Sequence, residues 1–133
     1  MKKLIVIAER TKDGVSAYAE NEPFAGMGNT EDEAIADLKE GIRFYIRTAK
    51  ENGYKYSPYL EGDYEIKLKY DLRSLLEYYG DFITDAGMEK LTGISKSQLS
   101  RYTNGKTAPR TPQVRKIVDG LRRFGCELSS LSL

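Results

Sequence analysis

The sequence predicts an α+β fold in two parts, and three observations predict it. Up to Tyr70, short β-branched or alternating segments surround one long amphipathic stretch. Beyond it, apart from an ambiguous tail, the apolar residues recur only at helical spacing. The basic residues are concentrated in one stretch of the second part. Residues 1–70 carry 11 Lys and Arg against 13 Asp and Glu, whereas Lys90 to Arg123 carry 9 against 1. The reading is a β-β-β-α-β unit over residues 1–70 and an all-α unit over residues 71–133.

The first strand is KKLIVIAER, Lys2 to Arg10. Asp13-Gly14 supplies a hairpin turn, and Val15 to Asn21 is the partner strand. Pro23 to Asn29 reads as a short third strand or a loop, loosened by two glycines. Thr30 and Glu33 form a capping box, and Glu31, Asp32 and Glu33 suit the positive end of a helix dipole. The helix buries a stripe of Ile35, Leu38, Ile42, Tyr45, Ile46 and Ala49 and ends at Asn52-Gly53. YEIKLKY, Tyr64 to Tyr70, alternates with period two and is a half-buried strand. The tyrosines Tyr54, Tyr56, Tyr59 and Tyr64 form either a recognition surface or a partly buried sheet edge.

In the second unit Asp71 can cap a helix carrying Leu72, Leu75, Leu76, Tyr79 and Phe82. Thr84 or Asp85 starts the next, with Met88 and Leu91 buried and Gly93 ending it. Ser95 and Gln98 form a second capping box for a helix of about two turns, whose apolar residues are Leu99 and Tyr102. Asn104-Gly105 stops it. Thr111-Pro112 reads as an N-cap followed by proline at the first helical position. The last helix buries Val114, Ile117, Val118, Leu121 and Phe124 and stops at Gly125. Cys126 reads as a small core residue. The tail, with Leu128, Leu131 and Leu133, reads as either a helical turn or a short strand.

Composition narrows the function. The chain has 133 residues, 40% of them hydrophobic, with a single Cys and no His. No apolar run approaches the ~20 residues of a membrane span, and the run ending at Ala8 is too short for a signal-peptide core. A lone Cys makes no internal disulfide, so the expected location is the cytoplasm. The lack of His removes the usual general base near neutral pH, and no enzymatic activity, metal or cofactor is expected. Glu9, Asp13, Asp37 and Glu40 are magnesium ligands by type only.

The stretch GISKSQLSRYTNGKTAPR carries the chemistry. A helix ending in glycine, a short turn, and a second capped helix with a polar outer face make a helix-turn-helix. The second helix must fit a major groove about 12 Å wide, with its N-terminal residues toward base edges. Lys96, Ser97 and Arg101 fall at or near one exposed face and match base edges chemically. The turn at Asn104, Gly105 and Lys106 offers backbone N–H groups and an ammonium to phosphate. Ser95, Lys90 and Arg110, with Arg115 and Lys116, extend the phosphate-facing surface.

These residues resemble the XRE (Cro/repressor-type) helix-turn-helix. The resemblance spans about Leu72 to Phe124 and implies base contact by Lys96, Ser97 and Arg101, and phosphate contact by Asn104 and Lys106. The small residue usual in the middle of the first motif helix falls on Glu89, which implies that Glu89 tilts out or that the helices cross differently. Over about Lys3 to Tyr70, GNTEDEAIADLKEGI and the Asp-Gly hairpin resemble HicB-type antitoxins. Gly41 stands for a family alanine, and PFAGMG replaces the family's Pro-Gly-Cys. That resemblance implies a truncated RNase H-like fold and a HicA-like toxin partner. Both units in this order imply an antitoxin that also binds double-stranded operator DNA as a homodimer or tetramer. A stand-alone regulator whose first unit binds another partner is the alternative.

Overall fold

The structure is a computed structural model that describes residues 1–132, so the Leu133 end of the tail lies outside the described residues. The fold is α+β and divides into two compact units, Met1–Asp71 and Leu72–Leu133.

The first unit is a four-stranded sheet with one long helix. Strands β1 (Lys2–Thr11), β2 (Gly14–Ala19) and β3 (Ala25–Gly28) precede α1 (Glu31–Asn52), a 3-10 turn (Pro58–Glu61) and β4 (Tyr64–Tyr70). The strand order is β3-β2-β1-β4. β1 and β2 pair antiparallel, as do β2 and β3, while β4 lies parallel to β1 with Leu4 opposite Ile66 and Val6 opposite Leu68. A parallel pair needs a crossover, and β3 and α1 lie within that connection.

The segment left between strand and loop is thus strand β3, and its glycines have a packing reason. A Cβ at Gly26 would lie 2.3 Å from the Ala34 carbonyl oxygen and 2.4 Å from the Leu38 nitrogen. Only a bare backbone lets α1 lie this close to β3. Ala34, Leu38, Ile42 and Ala49 of α1 are buried, and the first three join Leu4, Val6 and Ala8 of β1 and Val15, Ala17 and Ala19 of β2 in one core. Both halves of the Thr30–Glu33 capping box form, at 3.2 Å each, and Gly53 at φ 70° ends α1. Tyr45, expected in the stripe, is instead 40% exposed, with its ring edge-on to Phe24 at 5.3 Å. The tyrosine cluster splits: Tyr59 and Tyr64 pack against the core, while Tyr54 is exposed.

The second unit is helical: α2 (Leu72–Tyr79), α3 (Asp85–Thr92), α4 (Lys96–Thr103) and α5 (Thr111–Ser129). Asp71 alone separates β4 from α2, and its N–H donates to the Ala8 carbonyl at 2.8 Å. α2 ends at Tyr79, so Phe82 falls in the following turn and is 70% exposed rather than part of the helix stripe. Ile117 is fully buried, with Val114, Val118, Leu121 and Phe124 half-buried beside it.

Three expectations for the last helix need correction. The N-cap is Arg110, not Thr111, because the Arg110 carbonyl already accepts from the Gln113 and Val114 N–H groups at 2.9 and 3.0 Å. Gly125 does not stop the helix. A glycine ends a helix where its φ turns positive, which Gly125 does not do, and α5 runs on to Ser129. Cys126 is therefore on an exposed helical turn, not in the core. The tail is helical through Ser129, with Leu128 and Leu131 exposed. Among the described residues, no helix is long and apolar enough to cross a membrane.

Candidate nucleic-acid interface

The site is built by how α3 stops and α4 begins. Thr84 caps α3, accepting from the Gly87 N–H at 3.0 Å. At the other end Gly93 adopts φ 73° and donates its N–H to the Glu89 carbonyl, a left-handed cap that only glycine takes without strain. Ile94 then drops into the core. The buried Thr92 hydroxyl holds the turn by donating to the Met88 carbonyl at 2.7 Å and accepting from the Ile94 N–H at 3.1 Å.

α4 starts at Ser95, whose hydroxyl accepts from the Gln98 N–H at 3.3 Å. The carboxylate near this helix start comes from outside α4: Glu89 Oε1 of α3 accepts from the Lys96 N–H at 3.1 Å. An acidic group beside the positive end of α4 is favourable. Glu89 thus serves as a cross-helix cap for α4.

Leu99 and Tyr102 are buried beneath α4. Lys96, Ser97, Ser100 and Arg101 are all exposed, and their 1-3-1 spacing places them on one side of the helix. The expected base-contacting residues Lys96, Ser97 and Arg101 are thus brought together. Ser95 is exposed at the helix start, with its hydroxyl occupied by the cap and 3.5 Å from Ser97 Oγ.

The exit turn is tied back to the same helix. The Asn104 N–H donates to the Ser100 carbonyl and the Lys106 N–H to the Arg101 carbonyl, both at 2.9 Å. Arg101 Nε donates to the Thr107 hydroxyl at 3.2 Å, and Gly105 turns the chain at φ 73°. Asn104 and Lys106 are exposed on this turn. The sequence reading missed Arg73 of α2: its guanidinium lies 3.2 Å from where a Cβ at Gly105 would be. Nothing local announces this, since Glu77 four residues on makes Arg73 look like half of an ordinary surface pair (3.4 Å).

Lys90 and Arg110 are exposed on α3 and at the head of α5. Lys116 lines a shallow depression with Thr92, Asp119, Arg122, Arg123 and Cys126, to which no α4 residue contributes. Arg123 donates to the Leu91 carbonyl at 2.9 Å, satisfying the end of α3. In the first unit Asp37 accepts from the Met27 N–H and Glu40 pairs with Arg43. Among the described residues no acidic or cysteine cluster is placed to hold a metal ion.

Compared with known proteins, residues 83–123 match the family model described as Helix-turn-helix. That match takes in α3, α4 and most of α5. No curated protein and no solved structure matches the chain. The class that fold and site define is a helix-turn-helix unit preceded by an α+β unit.

Proposed function

We propose that the chain is a DNA-binding regulator that represses its own operon and, as the antitoxin of a HicA/HicB-like pair, neutralises an RNA-cleaving toxin. The observation that carries DNA binding is the outer side of α4, where Lys96, Ser97, Ser100 and Arg101 stand exposed in the segment that matches a helix-turn-helix. Lys96 and Arg101 donate to guanine edges, and Ser97 to either kind of edge. Asn104 and Lys106, with Ser95, Lys90, Arg110 and Arg73, bind phosphate. One short helix contacts few bases, so two copies act on half-sites roughly 34 Å apart. The antitoxin role rests on the resemblance of GNTEDEAIADLKEGI and of the β-β-β-α-β order to HicB-type chains. The reading is of a regulator and not an enzyme, from a chain without His.

Duplex binding measured by fluorescence anisotropy at low salt, including the DNA upstream of the chain's own operon, tests the regulator. Lys96→Ala reduces discrimination between operator and scrambled DNA by roughly tenfold or more. Lys106→Ala weakens both alike. Absence of binding to every duplex refutes the proposal. Co-expression with the adjacent gene tests the antitoxin role through rescue of growth and co-purification; without either, a stand-alone regulator is the surviving reading.

A further inference from the structure

The two ends of the sheet are finished differently. At the β3 end the strand is four residues long, and the Asp37 carboxylate takes the Met27 N–H at 3.0 Å. At the β4 end the strand is seven residues long, pairs with β1 without a register break, and contains neither proline nor glycine. Asp63 and Asp71, just outside the strand, direct their backbones at β1: the Lys2 N–H donates to the Asp63 carbonyl at 3.3 Å, and the Asp71 N–H donates to Ala8. By alternation, Glu65, Lys67 and Lys69 do the same, while the backbones of Tyr64, Ile66 and Leu68 point off the sheet. Among the described residues nothing pairs with that outer edge.

Lysines on an edge strand ordinarily discourage a further strand. Here the same segment carries their counter-charges. Asp63, Glu65, Lys67 and Lys69 are all exposed, and none is ion-paired within the described residues. Ile66 and Leu68, on the α1 side, are only half-buried. The edge therefore offers unused backbone groups, an apolar row and an alternating row of charges.

We propose that this edge is where two copies of the chain join, β4 against β4, antiparallel and centred on Ile66. In that register Ile66 faces Ile66 of the second copy and Tyr64 faces Leu68. On the other side of the sheet Glu65 faces Lys67 and Asp63 faces Lys69, and the two-fold axis repeats each contact. The outward-pointing backbones of Tyr64, Ile66 and Leu68 meet one another, so the hydrogen-bonding phase agrees with the charge pairing. A register centred on Lys67 keeps that phase but sets Lys67 against Lys67, which is unfavourable. The occupant is a second copy because the edge is complementary to itself. This deepens the two-copy part of the proposed function, yet it is measured without DNA.

Sedimentation equilibrium of the full chain, with no duplex present, tests it. The unaltered chain is a dimer. Glu65→Lys and Lys67→Glu each bring like charges together twice and raise the dimer dissociation constant roughly tenfold. Mixed in equal amounts, the two variants form a mixed dimer about as tight as the original, because each supplies the charge the other lacks. Ile66→Pro removes an outward N–H that a single copy does not use and yields a monomer with an unchanged circular dichroism spectrum. A monomeric unaltered chain overturns the interface, as do charge variants that dimerise as tightly as the original or fail to rescue each other. Affinity for a single DNA half-site is measured alongside: if it survives while dimerisation fails, only the interface is wrong, and the reverse result strikes the DNA-binding proposal alone.

Discussion

At the scale of single residues, the cap of α4 joins stability to recognition. Glu89 reaches the Lys96 N–H from a neighbouring helix, so the start of α4 is held by α3 as well as by Ser95. Replacing a cap acceptor costs about 1 kcal/mol, and Glu89→Ala is expected to lower stability by that order in urea unfolding. Tyr59 makes a prediction about pH. Its hydroxyl donates to Glu22 at 2.5 Å, and that bond, with burial, pushes the phenol from 10.0 to about 12. Folding thus favours the protonated form. The stabilisation is whole below about pH 10 and is lost as pH rises from about 10 to about 12. Unfolding titrations across that window should show the loss, and Tyr59→Phe should remove this part of the slope.

At the scale of elements, two helices depend on glycines that have no turn to make. A Cβ at Gly120 would lie 2.4 Å from the Leu91 carbonyl oxygen, so α5 meets the end of α3 backbone to backbone. Gly120→Ala must push the helices apart and is expected to cost about 1–3 kcal/mol, read by chemical denaturation. Such positions explain what the sequence disclosed and what it hid. Local chemistry was legible: Thr30 and Glu33 cap α1, and Gly93 stops α3. Contacts between distant segments were not. Gly26 looked like a loosened loop because α1, which presses on it, lies beyond the strand. Gly125 looked like a stop because a helical glycine and a terminal one are spelled alike. In the interface, the outward side of α4 followed from periodicity, whereas Glu89 at its start and Arg73 beside Gly105 required coordinates.

At the scale of the whole molecule, a net charge of +1 conceals a strongly basic stretch from Lys90 to Arg123, and its effect should be visible in salt. Each phosphate contact contributes about −0.9 to the slope of log affinity against log salt concentration. Lys106→Ala should therefore flatten that slope by about one unit, while Lys67→Glu in the first unit should leave single-half-site slopes unchanged. The close crossing at Gly120 has a longer-range consequence. Because the two main chains abut there with no side chain between them, the spacing of α3 and α5 at that point is set by backbone against backbone and not by the size of an exposed side chain. Exposed cations such as Arg115 and Lys116 are free to drift over generations, retuning how firmly the unit grips a polyanion while the angle at which it is offered stays the same.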